Sequence, residues 1–275
     1  MKLPKCSNVT NAQSQRDGIK DHNTFLSRYH EYKNLINDLV VNKQSKSFYK
    51  FSDGEWYFLT GDQVGSASPG VRDFAVQNID RTPFRKGVIK NDYLMCQALN
   101  EHVRWYKDLF NSDPYFYVDY AYALCANKWF TNKFNGKIGL IGSGPKLDLI
   151  KNLCNKQEYL DYLEFDGFSD YIKMPQRYLC DNLDVGEKIL SEKLPQSNCD
   201  IFLVGIGHAQ QALLHRMKKY KDAVYIVVGS MICAYAGVQD NTRPYCADWM
   251  NFKLKDYDYS NIDIWKNNFT NEYKL

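Results

Sequence analysis

Residues Asp200 to Ser230 read DIFLVGIGHAQQALLHRMKKYKDAVYIVVGS. Asp200 to Val204 is a short apolar run that ends in Gly205-Ile206-Gly207. His208 to Lys219 then carries apolar residues at helical spacing. Ala223 to Val228 is a second apolar run, ending in Gly229-Ser230, after which a short helix reaches Ala236. Continuous apolar runs belong to strands covered on both faces, and a strand–glycine–helix–strand succession builds a parallel sheet. The fold class that follows is α/β: a Rossmann-like, mostly parallel sheet covered by helices.

The same unit recurs upstream. Lys137 to Ile141 reads as a strand ending in Gly142-Ser143-Gly144, followed by a helix from Lys146 to Cys154. Tyr171 to Met174 is a short strand and Cys180 to Leu194 a helix. Nearer the N-terminus, Phe25 to Val41 is helical in spacing, and Ser47 to Phe51 reads as a strand that runs into a helix over Glu55 to Leu59. Gly61 to Gly70 is a Gly- and Ser-rich loop placed to close over a ligand, and Val71 to Ile79 has a helical pattern. Strands are expected at Tyr93 to Cys96 and Tyr115 to Tyr120, and helices at Leu99 to Phe110 and Tyr122 to Phe134. Residues 1–24 are polar and irregular, an N-terminal strap or tail; residues 25–275 make a single domain, for which 275 residues in all is a sufficient length.

Composition narrows the function. Thirty-five basic and 32 acidic residues leave a formal charge of +3, so no face is built for a phosphate backbone and nucleic acid is not expected as a partner. None of the eight cysteines forms a C-x-x-C pair; they read as small buried apolar residues of a reducing compartment. No apolar run approaches the ~18 residues of a membrane span, so the expectation is a cytoplasmic protein with no membrane span. Asn8-Val9-Thr10 and Asn268-Phe269-Thr270 match the glycosylation sequon by chance on that reading. His22, His30, His102 and His215 show no metal spacing and read as surface residues.

Three strand ends carry glycines: Gly142 and Gly144, Gly205 and Gly207, and Gly229. In open α/β sheets ligands bind beyond the carboxyl ends of the strands, and glycine there lets a phosphate approach helix N–H groups. Neither the dinucleotide fingerprint nor a Walker loop is present, because Leu147 and Gln210 stand where a third glycine belongs. His208 opens a helix directly after a glycine turn, where an imidazole can meet an anion. Arg243, in a polar loop with Asp240, Tyr245, Asp248 and Trp249, has the chemistry to clamp a diphosphate, or equally to anchor that loop.

Lys50-Phe51-Ser52-Asp53-Gly54-Glu55-Trp56 follows the first strand. Asp53 and Glu55 flank a glycine, and two carboxylates in one turn suit a hard divalent cation. An Asp-Gly pair after a strand also serves as a plain turn or helix cap. Separately, Lys137 to Gly144 looks like the first motif of a Rossmann methyltransferase, with Glu164 placed to take ribose hydroxyls. A SAM-dependent enzyme and a non-catalytic sugar- or nucleotide-binding protein are therefore carried as alternatives.

Phe51-Ser52-Asp53-Gly54-Glu55 together with the Asp200-to-Ser230 unit resembles the GT-D type of glycosyltransferase, over roughly Phe25 to Trp249. The family's Arg two residues before the small residue is Lys50 here, and Asp62 to Lys90 has no counterpart. A soluble Asn-, Lys- and Tyr-rich chain of this kind also resembles transferases encoded by large DNA viruses of algae, xylosyltransferases among them. The resemblance implies transfer of a sugar from a UDP-sugar, UDP-xylose or UDP-glucose first, to a hydroxyl of a glycan acceptor, with inversion. It implies Mn²⁺ or Mg²⁺ at Asp53 and Glu55. Gly142, Ser143, Gly144, Gly205, Gly207, His208, Ser230 and Arg243 would line the nucleotide cleft. Asp73, then Glu55 or His208, would act as general base. A homodimer is compatible with this reading.

Overall fold

The computed structural model describes residues 22–61, 79–176, 178–238, 254 and 256–259. Within them lies one seven-stranded sheet in the order β3-β2-β1-β7-β6-β4-β5, parallel at every pairing. The strands are β1 (Lys46–Phe51), β2 (Tyr93–Cys96), β3 (Phe116–Tyr117), β4 (Ile138–Ser143), β5 (Asp170–Met174), β6 (Ile201–Gly205) and β7 (Val224–Val227). The helices are α1 (His22–Val41), α2 (Asp53–Thr60), α3 (Thr82–Val88), α4 (Asn100–Phe110), α5 (Val118–Cys125), α6 (Lys128–Lys133), α7 (Gly144–Leu153), α8 (Gln157–Leu163), α9 (Leu183–Lys193), α10 (Gln210–Met217) and α11 (Met231–Tyr235).

Side chains alternate between two cores, as a period of two requires. Phe48, Ile201, Leu203, Val224 and Ile226 face one layer, with Phe25, Tyr29 and Ile36 of α1 and with α5, α7, α8 and α11. Tyr49, Phe51, Phe202, Val204, Tyr225 and Val227 face the other, with Phe58 of α2, Phe84 and Val88 of α3, and α9 and α10. The Rossmann-like α/β expectation is thus met by a three-layer sandwich. From β4 the chain moves outward to β5, whereas from β6 it moves the opposite way to β7. The reversal lies between β4 and β6, the position at which sheets of this class commonly bind ligands.

Some local expectations are corrected. Tyr115 to Tyr120 is not a full strand: β3 is Phe116–Tyr117, and α5 begins at Val118, burying all its residues. The helix expected over Tyr122 to Phe134 breaks in two, because Asn127 caps α6 by accepting from the Trp129 N–H at 2.8 Å. Helices α3 and α8 were not expected. His102 is not a surface residue; it is buried on α4 and stacks on Trp105. Of the cysteines, Cys96, Cys125, Cys180 and Cys199 are buried and unpaired, as expected of small apolar residues. Among the described residues no helix is long and apolar enough to cross a membrane. Val71 to Asn78, Arg243 and Asp73 lie outside the described residues, as does the glycine loop from Asp62 onward.

Candidate functional site

At the carboxyl end of β1 the chain passes through Ser52 into α2. Ser52 is the N-cap residue in extended conformation (φ −155°, ψ −165°), and Ser52-x-x-Glu55 has the spacing of a capping box. The box is not made. Ser52 Oγ instead donates to Glu55 Oε2 at 2.7 Å and accepts from Lys50 Nζ at 2.6 Å. Lys50 Nζ also donates to Glu55 Oε2 at 3.0 Å, and Gln210 Nε2 donates to Glu55 Oε1 at 3.3 Å. Glu55 is only 6% exposed. Burial pushes its carboxyl up, but the Lys50 ammonium, His208 and the hydrogen bonds from Ser52 and Lys50 outweigh that, and its pKa falls below the ordinary value.

His208 enters from the turn after β6. Gly207 adopts φ +61°, a left-handed conformation that favours glycine, and a one-turn 3-10 helix over Gly207–Ala209 lifts His208 toward α2. The imidazole stacks on Phe58 with ring centres 4.3 Å apart and planes 10° apart. A Cβ placed on Gly54 would sit 3.8 Å from His208 Cε1, so the two turns are in contact distance of each other. The amide of Gln211 lies 3.4 Å from Nδ1, while Nε2 is buried with no hydrogen-bond partner. Burial, aided by Lys50 and Arg81 and opposed by Glu55, holds the imidazole pKa down to about 4, so the ring is neutral at pH 7. Gln210 is 2% exposed and its Oε1 likewise has no partner. Unsatisfied buried polar atoms are few in native structures, and His208 Nε2 and Gln210 Oε1 stand close to one buried carboxylate.

Arg81 and Arg85 close the far end of α2. Arg81 Nε donates to the Phe58 carbonyl at 2.6 Å and Arg85 Nε to the Leu59 carbonyl at 2.9 Å. These carbonyls at the helix C-terminus would otherwise lack partners. Phe84 packs edge-on against Phe58, and an open cleft of about 930 Å³ begins there, lined by Phe84, Tyr178, Asp80, Asp181 and Asp184.

The glycines divide by role. Gly142 and Gly205 are register partners on β4 and β6, and the space their side chains would fill is taken by Ile232, whose Cδ1 lies 3.3 and 2.7 Å from the respective Cβ positions. Their side-chain space thus goes to α11 packing. Gly229 has φ +49°, and a Cβ there would lie 3.6 Å from Lys50 Cδ. Ser143 is fully buried, Gly144 starts α7, and Ser230 precedes α11. The β4 turn stands three strands from β1, roughly 14 Å at the usual spacing, so one elongated ligand could span both. Glu164 is the left-handed C-cap of α8 and pairs with Lys128. It precedes β5, and nearby Ser169 donates to the Ile138 carbonyl at the start of β4, so Glu164 lies toward the amino edge rather than the carboxyl edge expected for a ribose ligand.

No protein-family model matches the chain, and no curated protein or solved structure matches it either. Asp53 is half-buried at the start of α2, where the helix dipole favours a carboxylate. Among the described residues no three His, Cys, Asp or Glu side chains stand close enough together to hold a metal ion. Asp53 still fits a hard cation that brings phosphate oxygens and waters as its other ligands, since Mg²⁺-type ions commonly use one carboxylate in that way. Glu55 fits poorly as a direct ligand, because an ammonium already neutralises it and Oε2 already accepts two hydrogen bonds. The sequence marks Lys50 only as a departure from the arginine of the family it resembles and Gln210 only as a missing glycine, and assigns neither a place beside Glu55; a lysine at the end of an otherwise apolar strand was the signal available for the first.

Proposed function

We propose that the chain is a glycosyltransferase that moves a sugar from a UDP-sugar to a hydroxyl of a glycan acceptor. The observation that carries the reading is the meeting of the Asp53–Glu55 turn with His208 at the carboxyl ends of the β1, β7 and β6 strands. A carboxylate for a phosphate-bound cation and a neutral base side by side is the equipment this transfer needs. Mn²⁺ or Mg²⁺ held at Asp53 with the donor would neutralise charge on the departing UDP. Lys50 and Arg81 add positive charge on the same edge.

His208 is the base this arrangement favours. Glu55 is held ionised by an ammonium, which makes it a poor proton acceptor, and Asp73 lies outside the described residues. Gln211 Nε2 faces Nδ1 at 3.4 Å; Nε2 of His208 carries the lone pair in the tautomer with Nδ1–H, which the Gln211 side chain supports once its amide is rotated to put the oxygen toward Nδ1. The acceptor hydroxyl then gives its proton to Nε2 while its oxygen bonds to the sugar carbon. The bond from that carbon to the UDP oxygen breaks, its electron pair leaving with UDP. Attack from the face opposite the leaving group inverts the centre. Because the imidazole pKa is near 4, kcat/KM should be flat between pH 6 and 8 and fall only below about pH 5. An acid limb that persists unchanged in His208→Gln, or a His208→Gln variant with wild-type kcat/KM, would remove His208 from this role.

A thermal shift with UDP, with and without Mn²⁺, beside SAM, tests the reading, since a ligand that binds only the native state raises its melting temperature. Metal-dependent stabilisation by UDP, lost in Asp53→Ala, is expected. Stabilisation by SAM alone would replace the reading with a methyltransferase centred on Gly142-Ser143-Gly144. UDP binding without turnover of UDP-xylose, UDP-glucose or other UDP-sugars would favour a nucleotide-binding protein.

A further inference from the structure

We propose that Lys50 is the cation of the chain that faces the donor diphosphate, and that Glu55 serves to hold it there. The two carboxylates of the Asp53-Gly54-Glu55 turn then have different jobs: Asp53 faces the ligand and Glu55 is a positioning residue. The inference rests on the transferase reading above.

Lys50 is the penultimate residue of β1 and shares the parity of Phe48, so its stem starts on the α1 side of the sheet. The stem then climbs to the carboxyl edge beside the left-handed turn at Gly229, within van der Waals reach of it. The ammonium ends between β1 and the turn after β7, with a side chain only 13% exposed. Placing a charge there costs desolvation, which Glu55 and Ser52 offset. Ser52 gives up its helix cap to do so: its hydroxyl bridges the ammonium and the carboxylate instead of a backbone N–H. A divalent cation bound directly to Glu55 would have to displace Ser52 or Lys50 from Oε2 or share Oε1 with Gln210, and would meet the ammonium at close range. Held where it is, the ammonium lies at the strand end where a phosphate of an α/β ligand belongs.

The test measures UDP affinity by calorimetry, in EDTA and in Mn²⁺, for the full chain and four variants, with folding checked by melting. In Glu55→Gln the Lys50 charge is no longer neutralised, so UDP should bind at least as tightly as to wild type in EDTA, and Mn²⁺ should still strengthen binding. In Asp53→Asn the Mn²⁺ response should disappear. In Lys50→Met combined with Glu55→Gln, which removes both buried charges together, UDP affinity should fall about tenfold or more, the usual worth of a charge-assisted hydrogen bond. Lys50→Arg, which keeps the charge, should lose less than the double variant. Loss of the Mn²⁺ response in Glu55→Gln would make Glu55 a metal ligand and overturn the inference. Wild-type affinity in the double variant would also overturn it, making Lys50 an anchor. Should Glu55→Gln not fold, the double variant alone decides. If UDP fails to bind wild type under either condition, the transferase reading itself falls, and this inference with it.

Discussion

Glu55→Ala is expected to cost about 3–5 kcal/mol of folding stability, because it strips the partner from a buried ammonium and leaves that charge uncompensated. The Gln210 amide and the Ser52 hydroxyl lose their acceptor in the same step. Urea unfolding of wild type and variant measures it. Adding Lys50→Met should recover much of the loss, since a buried pair replaced by apolar groups is often close to neutral. The pH dependence has a definite sign. Glu55 has a native pKa below its ordinary 4.5, so its contribution is fully present above that value and is lost as pH falls through the native one. The gap between wild type and Glu55→Ala should therefore be widest near neutrality and narrow in acid. A gap that is constant down to pH 3 would mean that the lost packing, not the lost charge, sets the cost. Transfer should also vanish in Glu55→Ala, through displacement of Lys50 and Gln210.

Gly87→Ala should destabilise by about 2–3 kcal/mol, although alanine is the better helix former by up to about 1 kcal/mol. Gly87 lies in α3 where it crosses α10. An added Cβ would fall 2.2 Å from the Gln211 carbonyl oxygen and 2.8 Å from Ala212 Cα. Both are backbone atoms, so no rotamer change relieves the clash and the helices must part. The first turn of α10 carries Gln210 and Gln211, so UDP stabilisation should weaken along with the melting temperature. A Gly87→Ala variant as stable as wild type would show that α3 and α10 are not packed this closely.

Much of the sheet was legible because buried parallel strands announce themselves as apolar runs before glycine. Asp200 to Ser230 gave its strand–helix–strand unit within a residue or two at most boundaries. Short elements were harder to read. Gln157–Leu163 forms α8 because Tyr159, Tyr162 and Leu163 find a core, a tertiary fact that seven residues of moderate propensity do not state. Val118 turns helical where a strand was expected because all eight residues of α5 find places in the core, a tertiary gain that outweighs strand propensity.

The site divides in the same way. Asp53, Glu55 and His208 could be picked from sequence because they stand in glycine turns after strands, where α/β sheets place their ligands. Their pairings could not. Lys50 and Glu55 are five residues apart, but whether they attract a metal or each other depends on how deeply α2 is buried. Gln210 reaches Glu55 across 155 positions of chain. Gly142 and Gly205 read as phosphate turns until Ile232 is seen to fill their space. The chain by itself determined its period-two and helical patterns, and through them a covered parallel sheet, because those patterns depend on near neighbours. Only the tertiary structure decided which charges are buried together, because desolvation and pairing arise from groups that the folded sheet, not the sequence, brings within hydrogen-bonding distance.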